Sequence, residues 1–307
     1  MTSPTQASER PSADLLWTAV MPAVFVLLWS TGFIGAKLGR PYAEPLTFLT
    51  WRFGLASAFF LVLTVATRAP WPGSWREALH ITVAGLLMQG LYLGSVFVAI
   101  ARGAEAGVTA LIVCIQPLLV AAAAGPLLGE RVSARQWLGL ALGLTGVALV
   151  VWRKLALGLG TPSGFALSVL ALCALTAATL YQKRFCASMP LRSGNLIQYA
   201  ATGAVLGLLA WTFESRVVVW SGEFVFALGW LVIVLSIGTF TLLFVLIRRG
   251  TAARVSSLFF LVPPATATVA WLLFDETFEP LGLAGVAIAV LGVALVNLAP
   301  GTTLQQK

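Results

Sequence analysis

One arginine, Arg52, stands inside the apolar run 46–67 with no acidic residue beside it in that run. A guanidinium offers a planar fork of N–H donors that fits a carboxylate in a bidentate manner. Arg52 is therefore read in two ways: as a substrate anchor or gate pairing, or as a packing group that bonds backbone carbonyls or snorkels outward. Gln89 and Tyr92 are three apart and share one helix face, suited either to hydrogen-bonding a substrate or to joining helices. The hydroxyl pairs Thr176/Thr179 and Ser236/Thr239 repeat that spacing and can equally back-bond their own helix. Trp29 and Phe33, four apart, form an aromatic face for an apolar or cationic substrate, or for packing. Gln116 precedes Pro117 near the centre of another apolar run, and Gln198 and Tyr199 complete the candidates.

The chemistry these residues point to is binding. The sequence has no HExxH motif, no buried carboxylate pair and no Cys/His constellation, so neither an enzyme nor a cofactor is expected. Cys114, Cys173 and Cys186 lack CxxC spacing, which indicates no metal and no disulfide framework.

The elements that must position these side chains are membrane spans. Of 307 residues 59% are hydrophobic and 10% charged, and the mean hydropathy is +0.94. That composition belongs to an integral membrane protein with the lipid bilayer as its solvent. The net charge of +8 sits at the ends of apolar runs, where it sets topology; no basic stripe or stacking motif suggests nucleic acid. Helices are expected near 15–36, 46–67, 81–101, 106–129, 136–152, 161–182, 193–213, 224–247, 255–274 and 280–300, each bounded by charge, proline or glycine. Residues 1–14 and 301–307 read as cytoplasmic tails, the first disordered, and the first apolar run reads as a retained span rather than a cleaved signal.

With the N-terminus inside, twelve Lys and Arg fall in inner loops and six in outer ones, which predicts both termini in the cytoplasm. A repeat runs through the chain: at an offset of 146, Glu130 meets Glu276, Gly139 meets Gly285, and Gly146–Val150 meets the identical Gly292–Val296. Near Arg102 the offset slips to 147, where Arg102-Gly103 meets Arg249-Gly250. An offset containing five spans inverts the second copy, so the predicted domains are 15–152 and 153–300, two five-helix inverted-topology repeats. Pro117, Pro263 and Pro264 lie near the centres of the fourth and ninth runs and are expected to bend them around a cavity. Gly139, Gly143, Gly146, Gly285 and Gly292 are expected to pack helices closely. Glu130 and His80 are expected at the interface, the first as a cap or ion pair, the second solvated. No Asp, Glu or His lies deep in a span, which favours facilitated diffusion or exchange over proton coupling.

Four features carry a family resemblance: Leu28-Trp29-Ser30-Thr31-Gly32-Phe33, Arg52-Phe53, a proline-centred run closing on Gly129-Glu130-Arg131, and Gln136…Gly139…Gly146-Val147. With the ten spans and the repeat, the chain resembles the drug/metabolite transporter superfamily, and within it the EamA family of ten-helix bacterial carriers, from about Leu16 to Leu298. The resemblance implies a secondary transporter of a small organic metabolite, an amino acid or related compound, exported or exchanged across a bacterial inner membrane. It also implies a central cavity walled by spans one to four and six to nine, with spans five and ten peripheral. Because Arg52-Phe53 occurs in a family of diverse substrates, the packing role for Arg52 carries more weight. The second half departs from the pattern, with Leu175 opposite Trp29 and Asp275-Glu276-Thr277 in place of Gly-Glu-Arg. The alternative class is a channel or a non-transporting membrane scaffold, and substrate, direction, coupling and oligomeric state are left open.

Overall fold

The computed structural model describes residues 20–104, 106–152, 161–266, 268 and 280–298. Among these residues the regular elements are helices, and the only strand-like feature is an isolated antiparallel bridge between Ala43 and Val218. Seven helices among them are long and apolar enough to cross a membrane, with shorter apolar helices at Met21–Gly32 and Ala134–Val150. Without water to satisfy backbone groups in hydrocarbon, an apolar run closes its hydrogen bonds internally.

The helices are α1 (Met21–Gly39), α2 (Pro45–Ala66), α3 (Trp75–Ala101), α4 (Ala106–Val113, resuming at Gln116–Leu128) and α5 (Ala134–Val150). The second half continues with α6 (Pro162–Phe185), α7 (Leu191–Phe213), α8 (Gly222–Arg249), α9 and α10 (Pro280–Leu298). α9 runs from Ala252–Ser257 through a 3₁₀ turn at Leu258–Leu261 into helical residues 262–266. Both expected tails, Asp275 and Glu276, the remainder of the expected ninth span and the Phe33 side chain lie outside the described residues.

Local chemistry sets the ends. Ser133 and Gln136 form a reciprocal capping box at α5, Thr161 caps α6 ahead of Pro162, and Gly129 ends α4 with φ of 70°, a left-handed conformation that suits glycine. α3 starts six residues before the expected 81, because the Ser74 hydroxyl accepts from Glu77 N (3.2 Å) and carries the helix through its polar first turns. His80 thus lies inside α3, half-buried, stacked on Phe185 at 4.6 Å and with Nδ1 2.6 Å from the Tyr181 hydroxyl.

Two helix pairs pack most closely, α5 with α10 and α2 with α7. At the first, backbone meets backbone. A Cβ on Gly146 would lie 2.4 Å from Ala289 N, one on Gly292 2.5 Å from Gly143 N, and one on Gly139 2.6 Å from Gly292 O. Gly285 faces Gly146 O in the same way (2.7 Å), while Gly143 makes room for the Phe260 ring (2.4 Å). The remaining helices exchange partners between halves: α1 packs on α8 and α9, and α6 on α3 and α4.

Each half also departs from α-helical geometry at matching places. α3 widens into a π-helical stretch at Leu86–Leu93 and α8 at Leu231–Thr239. α4 breaks at Cys114 and Ile115 just before Pro117, while α9 tightens at Leu258–Leu261 just before Pro263 and Pro264. Proline removes the bond to the carbonyl four residues back. For Pro263 that carbonyl is Phe259 O, and the Cys114 thiol points to it from α4 at 3.8 Å.

Candidate substrate site at the bundle centre

Arg52 is buried, and its Nε donates to Ser236 Oγ across the α2–α8 contact (2.9 Å). Its guanidinium carbon lies 5.5 Å from the Phe53 ring centre. That ring stacks on Tyr199 at 5.7 Å, and the Tyr199 hydroxyl donates to Ser236 O (2.6 Å). Tyr92 and Tyr199 both lie within electrostatic reach of the guanidinium. Among the described residues no carboxylate pairs with Arg52. A buried charge without a counter-charge costs several kcal/mol, on the order of what removing one partner of a buried pair costs.

Gln89 belongs to a second group. Its Nε2 donates to Gln198 Oε1 (3.2 Å), Gln198 Nε2 donates to Gln182 Oε1 (3.0 Å), and Gln182 Nε2 points to Met189 Sδ (3.5 Å). The amides thus run in one direction from α3 through α7 to α6. α3 approaches α7 this closely because a Cβ on Gly85 would collide with Gln198 Cα at 2.7 Å. At the free end of the chain, Gln89 Oε1 is buried and has no hydrogen-bond partner. Tyr199 lies beside both groups, in contact with Gln89 and Ser236.

Gln116, at the restart of α4, repeats this pattern. Its Nε2 donates to Thr179 Oγ1 on α6 (3.2 Å), and its Oε1 is buried without a partner. These groups therefore present a guanidinium with one acceptor, Ser236, and the two open amide oxygens of Gln89 and Gln116; a third open amide oxygen, Asn195 Oδ1, lies nearer the start of α7. An unsatisfied buried polar atom costs about 1–3 kcal/mol and calls for an explanation.

The other candidates sit apart from this grouping. Thr176 donates to Leu172 O (2.8 Å) and Thr239 to Val234 O (2.8 Å), so both hydroxyls turn to their own helices. Trp29 lies in an aromatic cluster with ring centres 5.0 Å from Phe240 and 5.0 Å from Phe259. Spacing alone did not single out Gln182; being next to Lys183 and Arg184, it reads as the polar end of a span, yet it anchors the amide chain.

Carboxylates tie the halves at the ends of the bundle. Glu214, closing α7, accepts from Leu46 N (2.8 Å), Thr47 N (2.7 Å) and Thr47 Oγ1 (2.7 Å) at the start of α2. Glu44, before α2, accepts in return from Ser215 N (2.6 Å) and its hydroxyl (2.5 Å), and these bonds hold its carboxyl below the usual range. At the opposite end the Ser193 hydroxyl donates to Pro70 O (2.6 Å). There burial pushes the Glu130 carboxyl above its ordinary value, opposed by its bond from Ala252 N and by Lys183.

Residues 16–152 and 162–298 each match the EamA-like transporter family. The chain belongs to that family, whose repeat accounts for nearly its whole length. It is 26% identical to the uncharacterized transporter YvbV of Bacillus subtilis, over 91% of both chains. The uncharacterized inner membrane transporter YedA of Escherichia coli is 24% identical over 90% of each chain. A "Probable amino-acid metabolite efflux pump" of Salmonella typhimurium is 23% identical over 87% of this chain and 90% of its own. Among solved structures that share the fold, one crystal structure has a TM-score of 0.76 at 20% identity over 92% of this chain and 97% of that one. Family and relatives point to an integral membrane transporter rather than an enzyme.

Proposed function

We propose that this chain is a secondary transporter of a small organic metabolite bearing a carboxylate, an amino acid or a related compound, working by alternating access as an exporter or exchanger. The observation that carries the reading is Arg52, a buried guanidinium bonded at Nε to Ser236 and without a carboxylate partner among the described residues. A substrate carboxylate supplies the missing counter-charge, and the open oxygens of Gln89 and Gln116 accept its N–H groups. The bound molecule is thereby gripped by α2, α3 and α4 of the first half and, through Ser236 and Thr179, by α8 and α6 of the second. In this reading the ten helices all span the bilayer as two inverted repeats, bounded as 15–152 and 153–300. Both termini lie in the cytoplasm of a bacterial cell with the carrier in its inner membrane.

The crossed pairing of α1 with α8 and α9, and of α6 with α3 and α4, supports alternating access, because each group can rock about the α2–α7 and α5–α10 pairs. The absence of a deep carboxylate or histidine from the sequence supports facilitated diffusion or exchange. The test is counterflow of labelled amino acids and related carboxylates in proteoliposomes, after a thermal-shift screen of pooled metabolites. Saturable exchange that weakens with Arg52→Ala and Gln89→Ala is expected. Binding unchanged in both variants would sink the site, uphill movement driven by a pH gradient would sink the uncoupled mechanism, and single-channel currents would replace the carrier with a channel.

A further inference from the structure

At one end of the bundle, the turn between α8 and α9 is held from both sides by charges of the other helix group. The Lys183 ammonium, near the end of α6, donates to Ile247 O (2.8 Å) and to Gly250 O, carbonyls at the C-terminal end of α8. The Glu130 carboxylate, just past α4, accepts from Ala252 N (2.8 Å), the first N–H of α9. The two charges lie 4.0 Å apart. The last carbonyls and first N–H groups of helices lack partners within their helices, and each charge here has the sign and bonding type that its helix end requires. α4 and α6 pack together, as do α8 and α9 with α1, and α9 also packs directly on α4, so this buckle fastens the contact between the two groups of helices at the α8–α9 turn. Arg184 on α6 and Arg248 at the end of α8 are occupied elsewhere, with Leu127 O and Met189 O.

We propose that Glu130 and Lys183 form a latch that closes this end of the transporter by clasping the α8–α9 turn, and that this end opens only when the turn leaves both charges. The proposal rests on the carrier reading, in which the two helix groups part at alternate ends. It predicts that the latch charges act on access at their own end and leave the far end unaffected. It also predicts that they act through helix-end donors and acceptors, not chiefly through each other.

A native thiol reports on this. Cys114 is buried at the α4 break, so a membrane-impermeant maleimide reaches it only through an opened end. In a Cys173→Ser, Cys186→Ser background, Glu130→Ala and Lys183→Ala should each raise labelling from the Glu130 face roughly three- to tenfold, the range for losing one partly buried charge at a helix end. Labelling from the opposite face should stay at the background rate. The swapped double variant Glu130→Lys, Lys183→Glu should label as fast as the single variants, since a lysine cannot accept from Ala252 N and a carboxylate cannot donate to Ile247 O. Background-level labelling in both single variants, zero included, overturns the latch. So does an equal rise from both faces with a lowered melting temperature, which marks a loosened fold. Return of the swapped variant to the background rate overturns the helix-end basis and leaves a plain ion pair. Labelling reads opening whether or not any solute moves, so absent flux with latch-dependent labelling removes the carrier reading alone.

Discussion

The bond from Arg52 to Ser236 and the bond from Gln89 to Gln198 are the same bond made twice. Gln198 stands 146 residues after Arg52, and Ser236 stands 147 after Gln89, the two offsets found along the repeat. Each joins the second helix of one half to the third helix of the other. One copy uses a charged guanidinium and a hydroxyl, the other two neutral amides. The backbone repeats where the side chains do not: π-helical stretches, a fourth helix broken and a ninth tightened ahead of proline, and paired glycine helices recur in the two halves. Symmetry of this kind keeps the helix packing alike in both halves, while substituted side chains give the bundle centre a charge on one side only. In the carrier reading proposed above, selectivity resides chiefly in the first half, with Arg52, Gln89 and Gln116, and mobility is shared.

Where the halves agree, substitutions in either should cost alike and cost most. Gly146→Leu and Gly292→Leu each drive a side chain into backbone at 2.4 and 2.5 Å. Both should abolish monodisperse protein or lower its melting temperature by about 2–5 °C or more, as overpacking by about 1–3 kcal/mol or above does in a chain of this length; a tolerated leucine at one site alone breaks the equivalence. Next comes the charge. Arg52→Gln removes the charge difference between the halves and should weaken carboxylate substrates by roughly 10- to 100-fold in counterflow, the range for losing a charged hydrogen bond, while the melting temperature holds or rises because an unpaired buried charge is gone. Gln89→Leu should weaken the same substrates by about fivefold, since a neutral bond is lost, and Gln198→Leu should reproduce most of that loss by freeing Gln89; an effect of Gln198→Leu larger than that of Gln89→Leu reverses the direction assigned to the amide chain.

The smallest effect concerns Glu44, whose repeat counterpart is Pro190. Its carboxyl is held below the ordinary value of 4.5 by Ser215, so its contribution is present above pH 4.5 and is lost as the pH falls through the lowered value. Glu44→Gln should therefore narrow the drop in melting temperature between pH 6 and pH 3 by a degree or two at most, given the exposure of the group. An unchanged pH profile removes the Glu44–Ser215 bond from the closure of that end.

Much of the scaffold was readable in the residues, for physical reasons that also define what was hidden. Apolar runs bounded by charge must become helices in hydrocarbon, so α2, α7 and α10 appear within a few residues of expectation. The close approach of α5 and α10 follows from glycines at spacing that only contact across helices explains. α3 began early because Ser74 and Glu77 form a cap ahead of polar residues that dilute the apolar run. The exchange of partners between halves was not legible, since a repeat offset says which helices are alike and nothing about which ones touch. The candidate site was legible only as a set of polar residues in apolar runs. Burial singled out Arg52, Gln89 and Gln116, but whether a threonine faces a cavity or its own carbonyl is set by its rotamer and not by spacing, and Thr176 and Thr239 chose the carbonyl.

The exchange of partners also bears on how the chain is made. α1 leaves the ribosome first, yet the helices it packs on, α8 and α9, come near the end, and α5 meets its glycine partner only when α10 has been synthesised. Through most of translation the early helices hold grooves that later ones will fill, in contact with lipid or with an insertase. The contacts of α1 and α5 therefore wait on α8–α10: a chain stopped after residue 152 keeps α5 but none of α6–α10.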